Sequence, residues 1–351
     1  MQHENLRLGP PDAVSLGRRP ALDGLRACAV AMVVVFHIRS AWLPGGFLGV
    51  DVFFVLSGFL ITRLLLEEIR RADRIDLRHF YRRRAVRLFP ALAAVLVAVA
   101  IYDVTWEPVS SRPHTRVGLW STPLYVSNFF DVHPDSAIAH SWSLAVEEHF
   151  YLVWPAVLAL LCWFGASRRA AIATALAGIG ASSVTFALLH LFTRRPVETL
   201  GFWTFDRPAL VLLIGSLAAL VLPLDARARL LGAVASVLAV PAALALVLLS
   251  RHIRPNDSFL AYGGYAGIGA LVVVLLVAVL CRPHAWRVFA NPVLVWVGRR
   301  SYAIYLWHIP IRNAVWAHPG ELGDPSKNVR DLGVVLASLV AAELSHRLVE
   351  A

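Results

Sequence analysis

Long apolar stretches separated by short polar loops run through the whole chain, at residues 22–42, 47–66, 85–104, 142–164, 170–192, 208–224, 229–249, 264–281, 301–317 and 331–347. Each is of spanning or near-spanning length for a helix that rises about 1.5 Å per residue. They predict an all-α, polytopic integral membrane bundle of about ten transmembrane helices. An amphipathic piece at 117–130 has the character of a half-inserted segment and leaves that count open by one. The loops at 105–116, 131–141, 193–207, 250–262 and 318–330 are rich in Pro, Asp, His and Asn and too short to fold alone. Residues 21–351 are therefore expected to form one membrane domain after a flexible, proline-containing leader at 1–20, with no soluble C-terminal domain.

Composition strengthens the membrane assignment. Hydrophobic residues make up 58% of the chain and charged residues 16%, which excludes an ordinary soluble enzyme with a charged surface. The charge is also unevenly placed. With ten spans and a cytoplasmic N-terminus, 20 of the 33 Lys and Arg fall on the cytoplasmic side, eight of them between Arg70 and Arg87. The positive-inside rule then predicts a multi-pass protein of a bacterial-type plasma membrane with its N-terminus cytoplasmic. The net charge of +10 thus reflects topology and contact with the lipid bilayer. No nucleic-acid partner is expected, and nothing in the sequence speaks to oligomeric state. Cys28, Cys162 and Cys281 lie in or at the ends of spans without a CxxC pair, so they predict packing residues and no metal. A Gly263/Gly267 pair at GxxxG spacing predicts a helix contact.

Ionisable residues inside apolar spans are costly and mark function by default. The first span carries Arg26 near one end and His37 near the other. Eleven steps of about 100° place both on one face, about 16 Å apart along the axis. Asp51, at the start of the second span, and Glu147, in the fourth, sit at depths comparable to His37, and either could hold its imidazole so that the free nitrogen acts as a general base toward a hydroxyl. Ser57 and Gly58 lie near mid-membrane, where they suit close helix packing or the lining of a tunnel beside Arg26. Arg83, Arg84 and Arg87 stand where a cytoplasmic loop turns into the third span; they suit a membrane anchor or a clamp whose guanidinium groups fork onto phosphates. The ninth span aligns Tyr305 with Ser301, and His308 with Tyr305, on a face that should point into the bundle. No Walker-type, HExxH or GxSxG motif is present, and the His252/Asp257 pair at HxxxxD spacing is what chance provides.

Together the segments resemble acyltransferase family 3, integral membrane proteins that O-acylate sugars, polysaccharides and macrolide-type products. The resemblance covers nearly the whole chain. It rests on Asp23-Gly24-Leu25-Arg26 followed by His37, on Gly49 to Leu60, on Arg83-Arg84-x-x-Arg87, on Trp142-Ser143-Leu144-x-x-Glu147, on Ser301-Tyr302-x-x-Tyr305-Leu306-Trp307-His308, and on Ala342 to Glu350. His149 stands where the family usually has glutamine. The resemblance implies transfer from acyl-coenzyme A, acetyl-coenzyme A being the expected donor, to a hydroxyl of a carbohydrate or small-molecule acceptor. It implies His37 as the essential catalytic residue with Arg26 supporting it, and Arg83, Arg84 and Arg87 as the coenzyme A site, with Ser57 along the donor path. Trp142, Tyr302, Tyr305 and His308 are the candidate acceptor contacts. Direct transfer and an acyl-histidine intermediate both fit, and a membrane transporter is the alternative class.

Overall fold

The computed structural model describes residues 8, 9, 16–130, 133, 135–193, 206–223, 228–318, 320–322 and 325–350. Most of the expected leader at 1–20 and parts of the loops at 131–141, 193–207 and 318–330 lie outside the described residues. Those described form helices and turns, with no strand among them. In chain order the helices are α1 (Pro20–Arg39), α2 (Leu48–Ala72), α3 (Leu77–Thr105), α4 (Arg112–Ser121), α5 (Trp142–Trp163), α6 (Arg168–Thr193), α7 (Asp206–Val221), α8 (Ala228–His252), α9 (Gly264–Cys281), α10 (Pro292–Arg299), α11 (Ser301–Ala317) and α12 (Lys327–Ser345). The 117–130 piece is the end of α4 followed by a single 3₁₀ turn, Ser127–Phe129.

Local signals set the helix limits. Pro20 opens α1 with its ring pre-set for the first turn, and Asp23 follows in the same turn. The Asp76 carboxylate caps α3 by accepting from the His79 N–H at 2.9 Å. Asp73 ends α2 in the left-handed region, φ 52°, returning its N–H to the Ile69 carbonyl. Asn291 caps α10 ahead of Pro292.

Among the described residues, α1, α2, α3, α5, α6, α8 and α9 are long and apolar enough to cross a bilayer. The expected count of about ten is not reached on that measure. All ten apolar segments are helical, but α7 has only 16 residues, α11 carries His308 and Arg312, and α12 opens with Lys327, Arg330 and Asp331. Polar residues placed for ion pairs and cavity walls lower the apolarity of the last two.

The layers differ in burial. Inside the protein lie 78% of the apolar stretch of α2 and 11% of that of α6, so α2 is the central helix and α6 a peripheral one whose large apolar side chains face outward. Lipid is as apolar as leucine, so helices associate through close packing, which small residues allow. A Cβ at Gly24 would stand 1.9 Å from the Phe289 carbonyl oxygen, and one at Gly298 1.8 Å from that of Asp23, so α1 and α10 touch backbone to backbone. Gly58 and Gly215 do the same between α2 and α7. The Gly263/Gly267 pair does not: Gly263 adopts φ 106° ahead of α9, and nothing lies within 4 Å of a Cβ at Gly267. Cys28 is exposed and is not a core packing residue.

Gly298→Ala is expected to cost about 1–3 kcal/mol through the forced separation of α1 and α10, while Gly267→Ala is neutral or stabilising by up to about 1 kcal/mol. Thermal unfolding in detergent checks this, and equal midpoints for the two variants would contradict the packing.

Candidate functional site

Two cavities lie toward opposite ends of α1. The one at the arginine-rich end, about 290 Å³, takes Arg26 from α1, Ser57 from α2, Arg84 and Arg87 from α3 and Tyr302 from α11. From α5 it takes Leu144, Glu147, Glu148 and Tyr151, the i, i+3, i+4, i+7 face of one helix. A groove of about 650 Å³ adjoins it, shares Arg84 and Arg87, and adds Arg83. The Asp76 cap starts α3 far enough ahead of these arginines for them to project from its first turns.

The arginines differ in how their charges are met. Arg84 is paired with Glu148 at 2.8 Å and its guanidinium lies 3.2 Å from the Tyr151 ring centre. Arg83 is exposed, 3.9 Å from Glu68. Arg26 lies 6.0 Å from the Phe53 ring centre, Glu147 and Asp23 act on it from beyond ion-pair distance, and neither Arg26 nor Arg87 has a carboxylate within that distance among the described residues. Two cations without carboxylates beside a polar cavity are suited to an anionic ligand. Glu147 is engaged elsewhere, accepting from Ser57 Oγ at 2.5 Å and from the Tyr151 hydroxyl. Tyr125, on the loop after α4, completes the wall; burial first, then Glu148, pushes its phenol up to about 12, so it stays a neutral donor.

The second cavity, about 300 Å³, is lined by His37, His140, Trp142, Arg207, Tyr265, Tyr305 and Arg312, among others. Its geometry assigns the tautomer of His37. His308 Nδ1 lies 2.6 Å from the Tyr305 carbonyl oxygen, which can only accept, so Nδ1 carries the proton and Nε2 a lone pair. That lone pair is 3.1 Å from His37 Nδ1, and the Val33 carbonyl is 2.9 Å from the same atom. His37 Nδ1 must therefore donate, which leaves His37 Nε2 as the basic nitrogen.

The structure thus redistributes the candidates. Neither carboxylate orients His37: Asp51 is fully buried against Arg207, 2.8 Å away, and Glu147 belongs to the Arg26 cavity. Both lie at a plausible depth, but α7 supplies Asp51 with a stronger partner, and the face of α5 that carries Glu147 turns toward α3. His308, the expected acceptor contact, is fully buried behind His37, its Nε2 3.1 Å from His37 Nδ1, and it is not among the described residues that line the cavity. Tyr302 lines the Arg26 cavity and donates to the Leu88 carbonyl, whereas Trp142 and Tyr305 line the His37 cavity. Ser57 lines the Arg26 cavity while Gly58 packs on α7.

Sequence reasoning missed His140, Arg207, Tyr265 and Arg312. Arg312 was legible in principle, since it follows His308 by four residues on the same helical face. Arg207, beside Pro208 at a span end, looks like a loop charge until α7 is docked against α2.

An acyltransferase domain family matches residues 19–342. Peptidoglycan O-acetyltransferase OatA of Listeria monocytogenes is 33% identical over 350 residues, covering 94% of this chain and 55% of its own. O-acetyltransferase OatA of Staphylococcus aureus is 31% identical over 350 residues, with 94% and 56% covered. The chain spans about half the length of the curated relatives it matches. No solved structure matches it.

Two outcomes test this geometry. In protein with nitrogen-15 histidine, the signals lost in His37→Ala are expected to be those of a ring protonated at Nδ1 and bare at Nε2; the opposite tautomer would remove the proposed base. Asp51→Ala, which strands the buried Arg207 charge, is expected to cost about 3–5 kcal/mol, and Asp51→Leu with Arg207→Met to recover much of it, read by thermal unfolding.

Proposed function

This chain belongs to acyltransferase family 3, and we propose that it is an acyltransferase that moves an acyl group, acetyl first of all, from acyl-coenzyme A at its arginine-rich end to a hydroxyl of a carbohydrate or glycosylated small molecule beside His37. The observation that carries this is the placement of two arginines without carboxylates at one end of α1 and a fixed basic imidazole nitrogen toward the other. The N-terminus and the Arg83–Arg87 cluster face the cytoplasm, where coenzyme A thioesters are made. Arg26 and Arg87 bind phosphates, Arg83 extends the basic rim, and Arg84, held by Glu148, fixes the mouth of the cavity.

Bound acyl-coenzyme A supplies the activated acyl group: its C–S bond breaks as the new C–O ester bond forms. His37 Nε2 takes the proton of the acceptor hydroxyl as that oxygen attacks the carbonyl carbon, and gives it up to the departing sulfur. His308 and the Val33 carbonyl keep the ring aligned throughout.

Among the described residues, none lines both cavities. Ser143 and Tyr305 close the layer between them with a hydrogen bond of 2.5 Å. Ser143 sits between Trp142, which faces the His37 cavity, and Leu144, which faces the other. Tyr305 must release Ser143 for the thioester to reach His37.

With labelled acetyl-coenzyme A and membranes containing the protein, His37→Ala is expected to lower transfer by about 10²–10⁴-fold. Arg87→Ala is expected to raise the KM for the donor with a smaller change in kcat. Full transfer by both variants overturns the proposal.

A further inference from the structure

The wall of the His37 cavity carries an unbalanced charge. Among the described residues, Arg207 and Arg312 line it and no Asp or Glu does. Arg207 is neutralised by Asp51 through hydrogen bonds of 2.8 and 3.1 Å, with the Trp142 and Tyr265 rings 5.7 and 4.3 Å from its guanidinium. Arg312 is different. Its one side-chain hydrogen bond goes to a neutral amide oxygen, Asn313 Oδ1, at 3.0 Å, and Asn313 is itself tied to the Ser136 carbonyl at 3.2 Å.

Most other arginines that line cavities are paired. Arg39 is paired with Asp331, Arg71 with Glu67, Arg83 with Glu68, Arg84 with Glu148, Arg207 with Asp51 and Arg299 with Asp23. Among the described residues, the cavity-lining arginines left without a carboxylate are Arg26 and Arg87 at the donor end and Arg312 beside His37. Asp135 and Asp331 act on Arg312 from beyond ion-pair distance, and a half-buried cation without a contacting counter-charge is stabilised by a ligand that supplies one. At the donor end, phosphates meet that need under the proposed function. The same logic requires an anion at the other end.

We propose that the His37 cavity takes an acceptor bearing an oxyanion, a carboxylate or a phosphate, which Arg312 binds so that a neighbouring hydroxyl lies against His37 Nε2. This rests on the proposed function and narrows its acceptor to acidic or phosphorylated sugars. The position of Arg312 supports the pairing: it follows Tyr305 by seven residues and Ile309 by three, on the α11 face that lines the cavity with His37. Trp142 and Tyr265 offer aromatic walls for the C–H face of a sugar ring. Water leaves as the sugar enters, which strengthens the arginine–oxyanion contact. The hydrogen bond from Arg312 to Asn313 limits the rotation of its guanidinium, so anions are selected by position as well as by charge.

Three sugars differing in one group make the test: N-acetylglucosamine, N-acetylmuramic acid for a carboxylate, and N-acetylglucosamine 1-phosphate for a phosphate. Each is titrated against the thermal unfolding of the purified full chain in detergent. At least one anionic sugar is expected to bind about tenfold or more tightly than the neutral one, and the preference is expected to disappear in Arg312→Leu and Arg312→Gln and to persist in Arg78→Leu, which removes an exposed charge elsewhere. Which anion is preferred identifies the source of the oxyanion. Equal or absent stabilisation by all three sugars overturns the proposal, as does an anion preference that survives both Arg312 variants. Should those variants fail to fold, the wild-type comparison still decides. Release of coenzyme A thiol from acetyl-coenzyme A is followed in the same preparations; its absence from the wild type removes the transfer reaction, while the sugar titration is judged independently of it.

Discussion

The buried pair between Asp51 and Arg207 shows the constraint that organises this bundle: a cation placed among apolar helices needs a counter-charge held in fixed geometry. The pair joins the start of α2 to the start of α7. Backbone contact at Gly58 and Gly215 joins the same two helices further along. The central helix is thereby fixed at two levels, and the cavity faces of α1, α5 and α11 are set around it. Arg39–Asp331 and Arg300–Glu343 apply the same rule to the attachment of α12.

Against that rule, the exceptions locate the chemistry. Arg26 and Arg87 at one end, and Arg312 at the other, break a pattern that the other cavity arginines follow. His37 is a parallel exception among the polar groups. It is oriented by a backbone carbonyl and a second histidine, with no carboxylate in contact among the described residues.

The two cavities are separated by a thin layer centred on Ser143 and Tyr305. Under the proposed function, that separation keeps the activated donor away from the solvent and acceptor side until the layer opens, which protects a thioester from hydrolysis. The stripe Tyr302, Tyr305, Ile309 and Arg312 on α11 passes from the first cavity, through that layer, into the second. One helix therefore contributes to donor binding, gating and acceptor binding under the proposed function.

Much of this was legible in the chain itself. Apolar periodicity decides that these segments are helices in a membrane, because no other chain-local arrangement satisfies backbone hydrogen bonds in hydrocarbon. The placement of Arg26 and His37 on one face follows from helical spacing alone, and the motifs from Asp23 to Glu350 identify the family. Partnership between segments was not legible. Depth along a span does not specify azimuth, so Asp51 and Glu147 both stood as plausible neighbours of His37, and only the docking of α7 onto α2 and of α11 onto α1 replaced them with His308. The same docking turned Arg207 and Arg312 from apparent loop or span charges into cavity walls. Sequence determines which residues are costly to bury; the tertiary structure decides which of them are compensated, because compensation depends on contacts between helices far apart in the chain.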